Sequence, residues 1–139
     1  MRRFWPLSVC SLCVLPVFTP GWALHNPAAQ TQFVGTWHGT LSSRNYASVP
    51  VTLIINQGVG VKLTGAVNHI SRCIKNTDLD VTTTDSTIVL AGSDSDDNTI
   101  TFKGSLNNDG TELATTYIVN GSPSGQCETD DGAGTLTKH

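Results

Sequence analysis

The sequence predicts an all-β protein, an antiparallel up-and-down barrel of about eight short strands, and three observations predict it. Residues 32–41 alternate strictly: Phe33, Gly35, Trp37, Gly39 and Leu41 fall on one side, and Val34, Thr36, His38 and Thr40 on the other. A strand sends successive side chains to opposite faces, so one face here is apolar and the other mostly polar. The same two-residue rhythm recurs at regular spacing, punctuated by glycine, asparagine and aspartate turns. No stretch reads as a helix beyond the leader. A meander with short turns favours a barrel, which closes on itself and leaves no sheet edge exposed. A β-sandwich is the alternative.

The chain opens on a leader. Met1-Arg2-Arg3 is basic, residues 4–18 are mostly apolar, and Gly21 and Ala23 put small residues where a signal peptidase reads. This pattern predicts a signal peptide over residues 1–23, cleaved after Ala23, and a secreted or periplasmic product. Pro6 and Pro16 interrupt the run, which is too short for a regular membrane-spanning helix, so no membrane anchor is expected. Phe4-Trp5-Pro6 does not continue a twin-arginine motif, and neither Cys10 nor Cys13 follows the small residue that lipid attachment needs.

Residues 24–31 form an arm without periodicity, and residues 32–139 form one barrel domain. Two glycines flanking Trp37 suggest a bent first strand whose indole plugs the core. Residues 42–48 are turn-like. Val49, Val51, Leu53 and Ile55 alternate in the second strand, and Asn56-Gln57-Gly58 turns. Val59, Val61, Leu63, Gly65 and Val67 then alternate, and an irregular stretch over residues 68–76 carries Cys73. Leu79, Val81 and Thr83 give the fourth strand and residues 87–91 the fifth, with Ile88-Val89-Leu90 apolar on both faces. An acidic turn over residues 93–98 leads to Ile100 and Phe102. Asn107-Asn108-Asp109-Gly110 is a hairpin signal, because these residues tolerate positive φ. Leu113, Thr115, Tyr117 and Val119 alternate next. Residues 120–132 read as a long Gly/Ser loop holding Cys127, and Thr135-Leu136-Thr137 closes the barrel.

Without the leader the chain is 116 residues, and the loss of Arg2 and Arg3 leaves six basic against eleven acidic residues, a formal net charge of −5. Such a surface argues against nucleic acid, which demands clustered Lys and Arg, and against anionic membranes. Cys73 and Cys127 are then the remaining cysteines, and in an exported chain an even number reads as a disulfide. Closing a loop of about 55 residues contributes roughly 4 kcal/mol on the chain-entropy model. Arg72 and Lys75 beside Cys73 offer the competing reading of a reactive thiol.

Phe33-Val-Gly-Thr-Trp37 resembles the opening strand of the lipocalin and fatty-acid-binding superfamily, the calycins, in which a Gly-x-Trp on strand one seals the base of the barrel. Gly-x-Trp also opens avidin-like barrels. The resemblance implies a barrel that carries a small apolar ligand; its departures withdraw each named ligand. Only residues 42–48 stand where fatty-acid-binding proteins insert a helix pair, and their C-terminal Arg-x-Tyr is absent. Lys138 is the one basic residue, apart from His139, where lipocalins stack an arginine on the tryptophan. Avidin-like sites need several tryptophans, and Trp37 is the only one after the leader. What remains resembles a minimal, bacterial-style lipocalin-like barrel.

Candidate chemistry is sparse. Asp94-Ser95-Asp96-Asp97-Asn98 imitates the start of a calcium loop, yet Thr99 stands where glycine is required and Ser105 where glutamate is, so a solvated acidic turn is expected. His25, His38 and His69 lack zinc-ligand spacing, and His38 falls on the outward face. Asp78/Asp80 and Asp130/Asp131 read as solvated pairs, and Asn120-Gly-Ser122, a glycosylation sequon, reads as loop. No nucleophile elbow, phosphate loop or zincin helix occurs. The expectation is a protein that is not an enzyme, with no catalytic residue, metal or cofactor.

Two classes of function follow. One is a binder of a small apolar ligand in the barrel, walled by Phe33, Trp37, Val51, Leu53 and Val61 from the first strands, and by Leu63, Phe102, Leu113 and Tyr117 further on. Eight strands can close with or without a cavity, so the same side chains can simply fill the interior. The other is a protein-interaction module, for instance a periplasmic protease inhibitor presenting residues 24–31.

Overall fold

The computed structural model describes residues 30–68, 73–123 and 127–139. Eight strands follow in order: β1 (Gly35–Leu41), β2 (Val49–Gln57), β3 (Leu63–Asn68), β4 (Thr77–Thr84), β5 (Thr87–Ser93), β6 (Thr99–Leu106), β7 (Glu112–Asn120) and β8 (Asp130–Lys138). Each pairs antiparallel with its neighbours in sequence, and β1 pairs with β8 to close the barrel. Closure excludes the sandwich.

Alternation explains why the barrel closes around one core. In β7 the odd positions Leu113, Thr115, Tyr117 and Val119 are buried while the even ones face solvent. In β2 the buried row is Val49, Val51, Leu53 and Ile55. Register stacks these rows: Trp37 lies opposite Leu53 on one side and Lys138 on the other, and Phe102 lies opposite Leu90 and Tyr117. Twenty side chains, from all eight strands, Phe33 of the N-terminal turn and Ile74 of the β3–β4 connection, form one apolar cluster.

The structure corrects several boundaries. The first strand starts at Gly35 and not at residue 32, because residues 30–33 coil into a helical turn in which the Phe33 and Val34 amides donate to the Gln30 and Thr31 carbonyls. Gly35 then turns the chain into the strand with φ of +143°, a conformation that favours glycine. Gln30 and Thr31, the end of the expected arm, belong to that turn.

The third strand begins at Leu63, so Val59 and Val61 sit on a hairpin tip with 97% and 58% of their surface exposed. That tip is closed by Gly58 N donating to Lys62 O, and Gly60 holds φ of +70°. Val89 is 37% exposed, as expected of a residue on the outward face of a barrel strand.

The last strand is nine residues long rather than three, because the glycine-rich stretch expected as loop is strand from Asp130 onward. Gly132 is required there: a Cβ at that position would fall on the carbonyl oxygen of Ser42. Such inward glycines let backbone approach backbone where a narrow barrel bends, and periodicity alone does not announce them. The signal-peptide reading, residues 24–29 of the arm, His25 and His69 all lie outside the described residues. Among the described residues no helix is long and apolar enough to cross a membrane.

Candidate functional site

The chain enters the barrel at one end, and four loops close the other. At the loop end, Cys73 in the β3–β4 connection is bridged to Cys127 in the β7–β8 connection, with Cα atoms 5.1 Å apart. These connections join opposite sides of the barrel, so the disulfide is a strap across the mouth. Ile74, next to Cys73, is fully buried beneath it.

The polar groups at this end hold the loops in place. Asp94 is buried, not solvated as expected of an acidic turn. Its Oδ1 accepts from the Asp96 and Asn98 amides at 2.9 and 3.0 Å, and the Asn98 side-chain amide donates to Oδ2 at 3.0 Å. Asn98 Oδ1 in turn accepts from the Ser122 amide at 2.9 Å, tying the turn to the β7–β8 connection. The carboxylate is thus spent on the turn, with Asp96 paired to Lys75 outside it. Burial works to raise the Asp94 pKa, but the Asn98 and backbone hydrogen bonds outweigh it and hold it below the ordinary value.

Asp130 is likewise buried. It accepts from Tyr117 Oη at 2.6 Å, Ser43 Oγ at 2.7 Å, and the Arg44 and Asn45 amides at 3.1 and 3.2 Å. These four donors fix the β1–β2 loop onto the barrel wall. Burial again opposes ionisation, yet the donors lower the Asp130 pKa, while burial and the carboxylate push the Tyr117 phenol up to about 12. Asp131 is the solvent-side partner of Arg44, and Asp78 and Asp80 face outward as expected.

At the opposite end, Trp37 is fully buried and its indole N–H donates to the Phe33 carbonyl at 2.8 Å. Lys138 lies over this ring. Its ammonium lies 5.3 Å from the Trp37 ring centroid and donates to the Gln32 carbonyl at 2.9 Å. Gln32 Nε2 donates across to the Asp85 carbonyl in the β4–β5 turn, so the N-terminal turn spans the barrel base. His38 shares a 2.9 Å hydrogen bond with Thr52 Oγ1 on the outer wall, with the His139 ring edge-on at 4.9 Å.

The expected ligand walls prove to be packed core. Phe33, Trp37, Leu53, Phe102 and Leu113 leave no surface that water can reach, and Val51, Leu63 and Tyr117 are within a few per cent of that. Side chains so enclosed fill the space between the strands, because an empty chamber beside them would count as accessible surface. Val61 is the exception, lying outside the interior at the rim.

That rim holds the opening. The β3–β4 ladder stops at Thr64 opposite Asp80, so Leu63 and residues 81–83 lack partners across this seam although β4 stays paired to β5. A cleft of about 150 Å³ fills the gap, lined by Val61, Lys62, Leu63, Val81, Thr82, Thr83 and Gln30. The carbonyl oxygen Oε1 of Gln30 is buried without a hydrogen-bond partner. Nothing in the strand rhythm marks this cleft, since it depends on where a ladder ends; only Val61 and Leu63 were legible as candidates. Among the described residues no group of three or more His, Cys, Asp or Glu is arranged to hold a metal ion.

No protein-family model matches the chain, and no curated protein matches it in sequence. Among solved structures the chain is similar to one described as EF1p2_mFAP2b bound to DFHBI, with 12% identity and a TM-score of 0.58 over 81% of this chain and 98% of that chain. At that identity the likeness is one of fold. By fold, the chain is a closed eight-stranded antiparallel barrel, strapped by one disulfide.

Proposed function

We propose that the protein is an exported, non-enzymatic binder of a small apolar ligand, and that it takes this ligand in the cleft at the end of the β3–β4 seam rather than in a central chamber. The observation that carries it is the seam itself, the place where a ladder stops short and leaves a cleft in which Val61, Leu63 and Val81 stand among the polar residues Gln30, Lys62, Thr82 and Thr83. A volume of about 150 Å³ is the size of an apolar cavity that takes benzene. The similar solved barrel binds a small molecule, which supports a binding role for this architecture and says nothing of the ligand here. The buried carboxylates Asp94 and Asp130 are committed to loops, which supports the non-enzymatic reading.

Native mass spectrometry of the protein from its own host, with thermal-shift titration of benzene-sized compounds, tests this. A retained small adduct, or a rise in melting temperature that grows with ligand concentration, is expected. A bare mass together with no shift at millimolar ligand would overturn it.

A further inference from the structure

We infer that His38 and His139 form a two-histidine site for a divalent transition metal, Cu²⁺ before Ni²⁺ or Zn²⁺, on the outer wall where β1 meets β8. The site shares no residue with the seam cleft and stands independently of it.

Strand register brings the two rings together. β1 and β8 pair antiparallel with His38 opposite Thr137, so His139 lies diagonal to His38 on the same outward face. The ring centres are 4.9 Å apart and the planes are inclined at 80°. Two imidazoles on one ion, each bonded at about 2.1 Å, place their ring centres roughly 5 Å apart. The separation set by the fold is therefore one that a shared ion requires. His139 is exposed, so its ring has room to turn a nitrogen lone pair toward that of His38.

Both ligand positions are also held in advance. His38 Nδ1 shares its 2.9 Å hydrogen bond with Thr52 Oγ1 on β2, which orients the imidazole and leaves Nε2 to supply the lone pair. The His139 amide donates to the Thr36 carbonyl at 2.9 Å, and Thr137 Oγ1 donates to the His38 carbonyl at 3.2 Å. These backbones belong to paired strands, so binding has little left to order.

The surroundings suit a cation. Thr36, Thr52 and Thr137, the positions beside the pair, carry no charge, and Glu112 stands opposite Thr137 on the outward face of β7. Imidazole nitrogen binds Cu²⁺ more tightly than Ni²⁺ or Zn²⁺. Among the described residues no third His, Cys, Asp or Glu completes the set, so water fills the remaining positions and the ion is exchangeable. Such an ion joins the two strands whose pairing closes the barrel, and binding only the folded chain it stabilises that closure.

The test is a Cu²⁺ titration of the protein purified without a histidine tag, read by calorimetry and by electron paramagnetic resonance. A single ion coordinated by two imidazole nitrogens is expected. His38→Gln and His139→Gln are each expected to weaken binding by at least about a hundredfold, because the second imidazole no longer acts at high effective concentration. Thr52→Val is expected to weaken it roughly tenfold by releasing the His38 ring. Zn²⁺ should raise the melting temperature of the parent and of neither histidine variant. The combined His25→Gln, His69→Gln variant should behave as the parent. All are checked by circular dichroism, so that unfolding is separated from loss of a ligand.

An affinity unchanged in a folded His38→Gln or His139→Gln variant, or a spectrum with one nitrogen ligand, means an adventitious ion only and overturns the site. Loss of binding in the His25, His69 variant places the metal elsewhere and overturns it equally. Unchanged affinity in Thr52→Val overturns the orienting hydrogen bond.

Discussion

The two ends of the barrel are closed by different physics. At the loop end the closure is covalent and polar: the Cys73–Cys127 strap, the Asp94–Asn98 turn and the Asp130–Tyr117 network bind four connections together. At the opposite end it is apolar, with Trp37 and Phe33 filling the base and Lys138 lying over the indole. The polar end satisfies its buried carboxylates; the apolar end leaves Gln30 Oε1 unpaired and one seam open. An apolar plug tolerates a gap beside it, because dispersion has no directional partners to miss. A network built on buried carboxylates does not, since every lost donor leaves a charge unpaired.

Removing one closure at a time sharpens this contrast. Trp37→Ala is expected to cost the most, up to about 5 kcal/mol, as lost transfer energy plus a cavity that the glycine-flanked strand cannot collapse. Denaturant unfolding measures it, and a loss below about 2 kcal/mol would mean that the base is not the main apolar closure.

Opening the strap is next. Cys73→Ser with Cys127→Ser is expected to lower stability by roughly 4 kcal/mol, chiefly by freeing the unfolded chain. The fold should survive, because Ile74 and the Asn98 bonds still hold the connections. Loss of the barrel's far-UV spectrum in the unstrapped protein would contradict that.

Asp130→Asn is the smallest of the three, about 2 kcal/mol, and it carries a pH signature. Asp94 and Asp130 have folded pKa values below the unfolded carboxylate value of about 3.9. Their contribution is therefore complete above about pH 4 and lost as the pH falls through the lower folded values. In Asp130→Asn the acid limb of stability should flatten.

Tyr117 runs the other way. Its folded pKa near 12 lies above the unfolded value of about 10, so its contribution is full below pH 10 and lost as the pH rises toward 12. Tyr117→Phe should flatten that alkaline limb. A melting-temperature series from pH 2 to 12 reads both, and limbs that stay parallel to the parent's would separate these groups from the loop-end closure.

Legibility in the sequence followed the range of the interaction. Strand positions such as Val51, Leu53 and Phe102 were readable because alternation is local. The hairpin at residues 107–110 was readable because turn chemistry is local too, and Asn107 Oδ1 does accept from the Thr111 and Glu112 amides. Asp130 misread as solvated because its donors come from β7 and the β1–β2 loop, at separations up to 87 residues, and Asp94 because its own turn closes the Asp96 and Asn98 amides around the carboxylate at the covered end of the barrel. Val61 misread as inward because alternation continues on paper past the point where the barrel ends. Lys138 stood in the right place to be noticed, but only the β1–β8 register puts it over Trp37.

By itself, then, the sequence determined an all-β meander, its apolar rows, its tryptophan plug and its cysteine pair, all from neighbours within a few residues or from counting. The tertiary structure decided that the meander closes, that the interior is packed and that one seam parts around Gln30. Those outcomes depend on where ladders end and how side chains from eight strands fill a common volume, quantities that belong to no single segment.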